Sequence, residues 1–180
     1  MGIDPSIRST GICVIENEDI GVARYYLVTS SVTKKFIKNA RNLISIIQYE
    51  HVAPASPSAR DKELAKTHNV ISAATLIRRI IETEHPDVIV LEAVAFAANG
   101  TIDQLAGLNY IIRQDILETG CKLVVVSPSV IKKNAIGNGA AGKEDMIRAW
   151  VVVQPQFAAL SNQKIDDLAD AYFMACYSEI

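Results

Sequence analysis

Met1-Gly-Ile-Asp-Pro-Ser-Ile-Arg-Ser-Thr-Gly11 is the stretch on which the fold turns. An apolar run ends in an acid, Asp4; Pro5, Ser6 and Gly11 are turn formers, and Ile12-Cys-Val-Ile15 resumes the apolar run. The pattern predicts a strand, a turn and an antiparallel strand, with Asp4 at the end of the first. A carboxylate there is costly unless water, a donor or a metal satisfies it, and the chain offers Glu92, Asp167 and Asp170 as partners.

Working outward, residues 10–16 and 22–30 are rich in β-branched and aromatic side chains and complete a meander. Residues 31–59 read as an insertion or extended loop. Within it, Lys34, Lys35, Lys38 and Arg41 form a basic cluster that suits either a solvated loop or a phosphate contact, and Leu43 to Tyr49 suits a strand or a short helix. From Ala59 to Glu84, apolar residues recur at helical spacing until His85-Pro86 stops them. Asp87-Val-Ile-Val-Leu-Glu-Ala93 is a buried strand ending in an acid, Glu92. Thr101 to Thr119 predicts a helix with Gly120 at its C-cap; its apolar residues spread round the circumference, so it should pack on two sides, one of them a partner subunit.

Lys122 to Ser127 predicts another buried strand, and Pro128 opens a short helix bearing Lys132 and Lys133. The loop Gly137-Asn-Gly-Ala-Ala-Gly142 leads into a helix from Lys143 to Trp150, and Trp150 with Val151 to Val153 is assigned to the core. Lys164 to Tyr177 is the last helix. Strands early and helices late give α/β with a mixed sheet, expected as one domain over residues 1–180.

Composition sets the outer limits. With 180 residues, 49% of them hydrophobic and 21% charged, the chain can bury a real core. A net charge of -2 argues against a polybasic binder without excluding nucleic acid. Cys13, Cys121 and Cys176 are odd in number and have no metal-ligand spacing, which suits buried thiols in a reducing compartment. No apolar run is long enough to span a bilayer, and a soluble, intracellular (cytoplasmic) protein is expected.

The last helix adds the second half of the chemistry. In Lys164-Ile-Asp-Asp-Leu-Ala-Asp-Ala171, Asp167 and Asp170 lie three apart and Asp166 and Asp170 four apart, so either pair shares a helix face. Carboxylates that close repel unless a cation lies between them. Asp4, Glu92, Asp167 and Asp170 make an all-oxygen, hard-ligand set that suits Mg²⁺ or Mn²⁺ rather than zinc. Two such ions, roughly 4 Å apart, support phosphodiester hydrolysis. Asp166 reads as a helix cap or an outer group rather than a ligand. His51, His68 and His85 share no spacing and are given surface or capping roles.

Gly2-Ile-Asp-Pro-Ser with Ser9-Thr-Gly11, Val88-Ile-Val-Leu-Glu92 followed by Ala95-Phe96, Lys132-Lys133 with the loop into Lys143, and Asp167-Leu-Ala-Asp-Ala171 stand in the order of the RuvC-like Holliday junction resolvases. The resemblance covers essentially the whole chain. It implies a ribonuclease H-like fold with a mixed five-stranded sheet flanked by helices, and a homodimer whose two active sites nick a four-way DNA junction symmetrically. It places the acidic tetrad on Asp4, Glu92, Asp167 and Asp170, with two Mg²⁺ ions per site that Mn²⁺ can replace. Lys143 falls on the family's basic residue after the glycine-rich loop and grips phosphate near the scissile bond. On the same reading, the basic residues Lys34, Lys35, Lys38, Lys132 and Lys133 would neutralise DNA phosphates around the acidic centre, and Phe96 is a loose match to the family's aromatic wedge. Only three residues precede Asp4, so either the first strand is short or the chain is trimmed, and the long 31–59 stretch suits a phage-type or divergent member.

Two other classes compete. The first eleven residues also resemble the phosphate-binding hairpin of actin-like ATPases and sugar kinases, but that architecture needs a duplicated core that 180 residues do not hold. A catalytically silent DNA-binding domain of the same fold would not need all four acids. A ribonuclease H-like nuclease acting on flaps or other branched DNA is the nearest rival.

Overall fold

The structure, a computed structural model, describes residues 1–16, 22–94, 102–160 and 165–178. Its elements are β1 (Gly2–Asp4), β2 (Ser9–Ile15), β3 (Ala23–Thr29), α1 (Lys34–Ala40), β4 (Ser45–Gln48), α2 (Ala59–Glu84), β5 (Val88–Glu92), α3 (Ile102–Thr119), β6 (Lys122–Val126), α4 (Pro128–Ile136), α5 (Lys143–Val153), a 3-10 turn (Pro155–Leu160) and α6 (Asp166–Ala175). They form a mixed sheet in the order β4-β3-β2-β1-β5-β6. β1 and β3 run antiparallel to β2, while β1–β5, β5–β6 and β3–β4 pair in parallel.

Strand alternation decides what each face buries. Ile3, Ile12, Ile89 and Leu91 point to one side and pack against α2 and α3 through Ile77, Ile81, Leu108 and Ile112. The other side carries Cys13, Tyr25 and Leu27 against α6 and α5, where Trp150 and Phe157 stack at 4.3 Å and the Trp150 indole N–H donates to Tyr25 Oη at 3.1 Å. α6 lies directly on the middle of the sheet because two glycines let it. A Cβ on Gly2 would sit 2.1 Å from the Ala171 carbonyl oxygen, and one on Gly11 2.1 Å from that of Asp167. Gly11, expected in the turn, therefore lies inside β2, where absence of a side chain admits a helix backbone.

The sheet has six strands rather than five. The extra one is β4, four residues at the sheet's edge, too short and too exposed for periodicity to separate strand from helix. The basic stretch before it is α1, a helix capped by the Thr33 side chain accepting from the Phe36 N–H, rather than a loop. β6 is an edge strand that buries one face only, through Val124 and Val126, while Val125 on the other is 41% exposed. Val152 and Val153, assigned to the core, face outward at 80% and 49% exposure, because the apolar stripe of α5 passes through Met146 and Trp150 instead. Only Cys13 is a buried thiol; Cys121 is half-buried and Cys176 exposed. α2 ends as expected at His85, whose left-handed backbone (φ 45°) caps it, and Gly120 (φ 78°) follows α3. Among the described residues no helix is long and apolar enough to cross a membrane.

Candidate active site

The same alternation gathers the acids. Asp4 shares its face with Gly2, and Glu92 shares its face with Val90, which packs with Met174 on the α6 side. Because β1 and β5 are parallel, both carboxyls leave the same end of neighbouring strands. Asp4 is paired in register with Gly11, and Gly11 is where the backbone of Asp167 touches the sheet. The first turns of α6 thus hold Asp167 and Asp170 against the two strand-end acids.

Electrostatics follows from that crowding. Asp4 is 8% exposed, and its carboxyl is pushed well above the usual range by burial and by the Glu92 and Asp167 charges. It hydrogen-bonds Glu92, whose own carboxyl is raised by burial, while the Asp4 bond and the Lys132 and Lys143 charges act the other way. Burial carries Asp167 up to about 6, opposed by a hydrogen bond from Ser9. Asp170 rises to about 7, through burial and the Glu92 charge, and its Oδ1 is buried without a hydrogen-bond partner. Four neighbouring carboxyls disfavouring ionisation are a local deficit of positive charge.

Among the described residues no three His, Cys, Asp or Glu side chains are set out as a ready ligand shell. The acids instead hydrogen-bond one another and Ser9. Their chemistry nevertheless fits a hard divalent cation: every donor is a carboxylate oxygen, and the Asp170 Oδ1 is buried with no hydrogen-bond partner.

Two lysines face this cluster. Lys143, at the start of α5, is paired through Nζ with Asp166, and that bond raises its ammonium, with the Asp167 and Asp4 charges adding to it. Asp166 is thus an outer group that holds Lys143 beside the acids. Lys132 on α4 acts on both Glu92 and Asp170. Lys133 is exposed on the next position of α4, and Lys34, Lys35 and Lys38 are exposed on α1, beyond β3 from the acids. Phe96 lies outside the described residues.

Two supporting residues were missed by sequence reasoning. Ser9 donates to Asp167, and buried Asn109 on α3 donates from Nδ2 to the Glu92 carbonyl oxygen at 2.8 Å, fixing the end of β5. Asn109 carried a signal, a polar side chain between Leu108 and Ile112 on a buried helix face.

Comparison with known proteins agrees with this architecture. A relative from Neorickettsia sennetsu, named crossover junction endodeoxyribonuclease RuvC, is 29% identical over 97% of this chain and 89% of its own. Two structures of Thermus thermophilus RuvC share the fold. One superposes with a TM-score of 0.60 at 18% identity, over 97% of this chain and 89% of that one. The other, described as in complex with Holliday junction substrate, gives a TM-score of 0.61 at 17% identity, over 97% and 88%. The family model for the crossover junction endodeoxyribonuclease RuvC matches residues 35–177, most of the chain, and the chain belongs to that family.

Proposed function

We propose that this chain is a metal-dependent endodeoxyribonuclease that resolves four-way DNA junctions by paired, symmetric nicks, working as a single domain in a homodimer. The observation that carries the reading is the meeting of Asp4, Glu92, Asp167 and Asp170 at one strand end, with the Asp170 Oδ1 unpartnered, in a chain of the RuvC family. Asp4, Glu92, Asp167 and Asp170 would hold the Mg²⁺ ions, two per site, that Mn²⁺ could replace. When bound, such ions polarise the scissile phosphate and activate the attacking water.

The chain's own groups do the rest. The Asp4–Glu92 hydrogen bond holds the two strand-end carboxyls together, where both could serve as oxygen ligands. Ser9 orients Asp167, and Asn109 fixes the backbone that carries Glu92. Lys143 faces the acids and is the group that grips the phosphate at the scissile bond, with Asp166 positioning it. Lys132 offsets the acids' charge from the α4 side, and Lys133 and the α1 lysines Lys34, Lys35 and Lys38 contact phosphates farther away.

The test is cleavage of a labelled four-way junction, a flap and a linear duplex of equal length, with Mg²⁺, Mn²⁺ or EDTA, comparing the parent with Asp170→Asn. Metal-dependent, symmetric nicks confined to the junction are expected. In the variant they should fall on the order of 10²-fold or more, the scale of losing one transition-state charge stabiliser. Junction binding should persist, because the acids repel phosphates. Equal cutting of flap or duplex would retain the nuclease and remove junction selectivity; no cutting of any substrate would leave a silent binding domain.

A further inference from the structure

A second concave site lies on the opposite face of the β1–β2 hairpin from α6. The turn after Asp4, the segment after β4, the first turns of α2 and the start of α3 enclose a cavity of about 550 Å³. That volume is within the range of roughly 300–1,000 Å³ for pockets that hold single small ligands and far too small for a duplex. Buried Ala65 and half-buried Ile7 and Leu105 make an apolar floor, and exposed Arg8 and Lys62 stand on the rim.

The walls are hydrogen-bonded, while the two rim cations are unpaired among the described residues. Thr10 Oγ1 donates to the Ser6 carbonyl oxygen at 2.8 Å and accepts from the Ser6 N–H at 3.1 Å, closing the turn. The Arg8 carbonyl oxygen accepts from Thr29 Oγ1 at 2.8 Å. Across the cavity, buried Asn69 brackets Val52, accepting from its N–H at 2.9 Å and donating to its carbonyl oxygen at 3.0 Å. Neither the Arg8 nor the Lys62 side chain has a hydrogen-bond or ion-pair partner among the described residues, whereas Lys66 is already paired with Asp103 and Glu63. Two unpaired cations over an apolar floor suit a phosphodiester with its sugar and base.

Resting on the nuclease reading above, we infer that this groove holds one unpaired strand of the substrate where it leaves the acidic site, with its phosphates on Arg8 and Lys62 and a sugar and base on the floor. Continuity supports it. Arg8 stands in the turn that leaves Asp4, and that turn lines the groove, so the groove lies at the end of the hairpin where β1 delivers Asp4.

The test is junction binding in Ca²⁺ as a function of salt, comparing the parent, the double variant Arg8→Ala/Lys62→Ala, and Arg79→Ala as a control on the exposed far part of α2. Losing two phosphate contacts should weaken binding about tenfold or more and make the slope of log affinity on log salt shallower by roughly 1.4, the single-strand value for two contacts. A methylphosphonate placed on the strand next to the cut should weaken the parent but not the double variant. A double variant that binds like the control, or a methylphosphonate that affects both equally, overturns the groove while leaving the nuclease standing. A parent that fails to bind branched DNA at all overturns both.

Discussion

Asp170 shows at the scale of one residue why the site asks for a cation. Its Oδ1 is buried without a partner and its carboxyl is held up to about 7 by burial and the Glu92 charge, with Asp167 beside it up to about 6. Both values lie above those of an unfolded chain, so the folded state binds protons more tightly. The stability this contributes is complete below about pH 4 and is lost as pH rises through about 6 to 7. Metal-free protein should therefore melt at a lower temperature near pH 8 than near pH 5, by several degrees for the few kcal/mol involved. Mn²⁺ should restore the loss at the higher pH, and Asp170→Asn should flatten the pH slope and blunt the restoration. Thermal melts in EDTA and in Mn²⁺ across that range check it; a parent whose melting temperature rises from pH 5 to pH 8 in EDTA would contradict the assignment of these carboxyls.

At the scale of elements, the acids meet only because α6 can lie on β1 and β2 at backbone distance. Gly11→Ala puts a Cβ 2.1 Å from the Asp167 carbonyl oxygen, and helix or strand must then move. The cost should be at least about 1–3 kcal/mol, the usual range for overpacking, and cutting should fall further than stability does because Asp167 is displaced. The check pairs a denaturant melt with junction cleavage; parental stability and activity in this variant would mean that α6 does not rest on Gly11. The long elements were legible in the sequence because period and length agree, as in α2 and the apolar run of β5. The four acids were legible because each ends a strand or opens a helix. Gly11 was not: a glycine in an apolar run reads as a turn unless one knows which helix will cross it. β4 was too short to carry a period, and Val152 and Val153 misled because an apolar run does not reveal which side of α5 the core takes.

At the scale of the whole molecule, paired nicks require two sites held in fixed relation, and the proposed homodimer would draw on one face of α3. Tyr110 and Leu117 are 60% and 65% exposed and lie seven residues apart, so they sit two turns along one stripe, with Gln114 between them. The opposite side of α3 is committed to the core through Leu108, Ile112 and Ile116, and Arg78 ties it to α2 through Asp115 at 2.9 Å. In the proposed homodimer, this outward apolar stripe on an otherwise anchored helix would make the isologous contact with the second copy. In a two-fold interface one substitution counts twice, so Leu117→Glu sets two carboxylates into the same apolar contact. It should convert the protein from dimer to monomer in sedimentation at micromolar concentration without lowering its melting temperature through loss of core, since Leu117 belongs to none. With an intact acidic cluster, the monomer should still nick a junction, but singly and without coupling, so that linear products from paired cuts give way to nicked intermediates. A variant that stays dimeric and keeps paired cutting would place the interface elsewhere than on this face of α3.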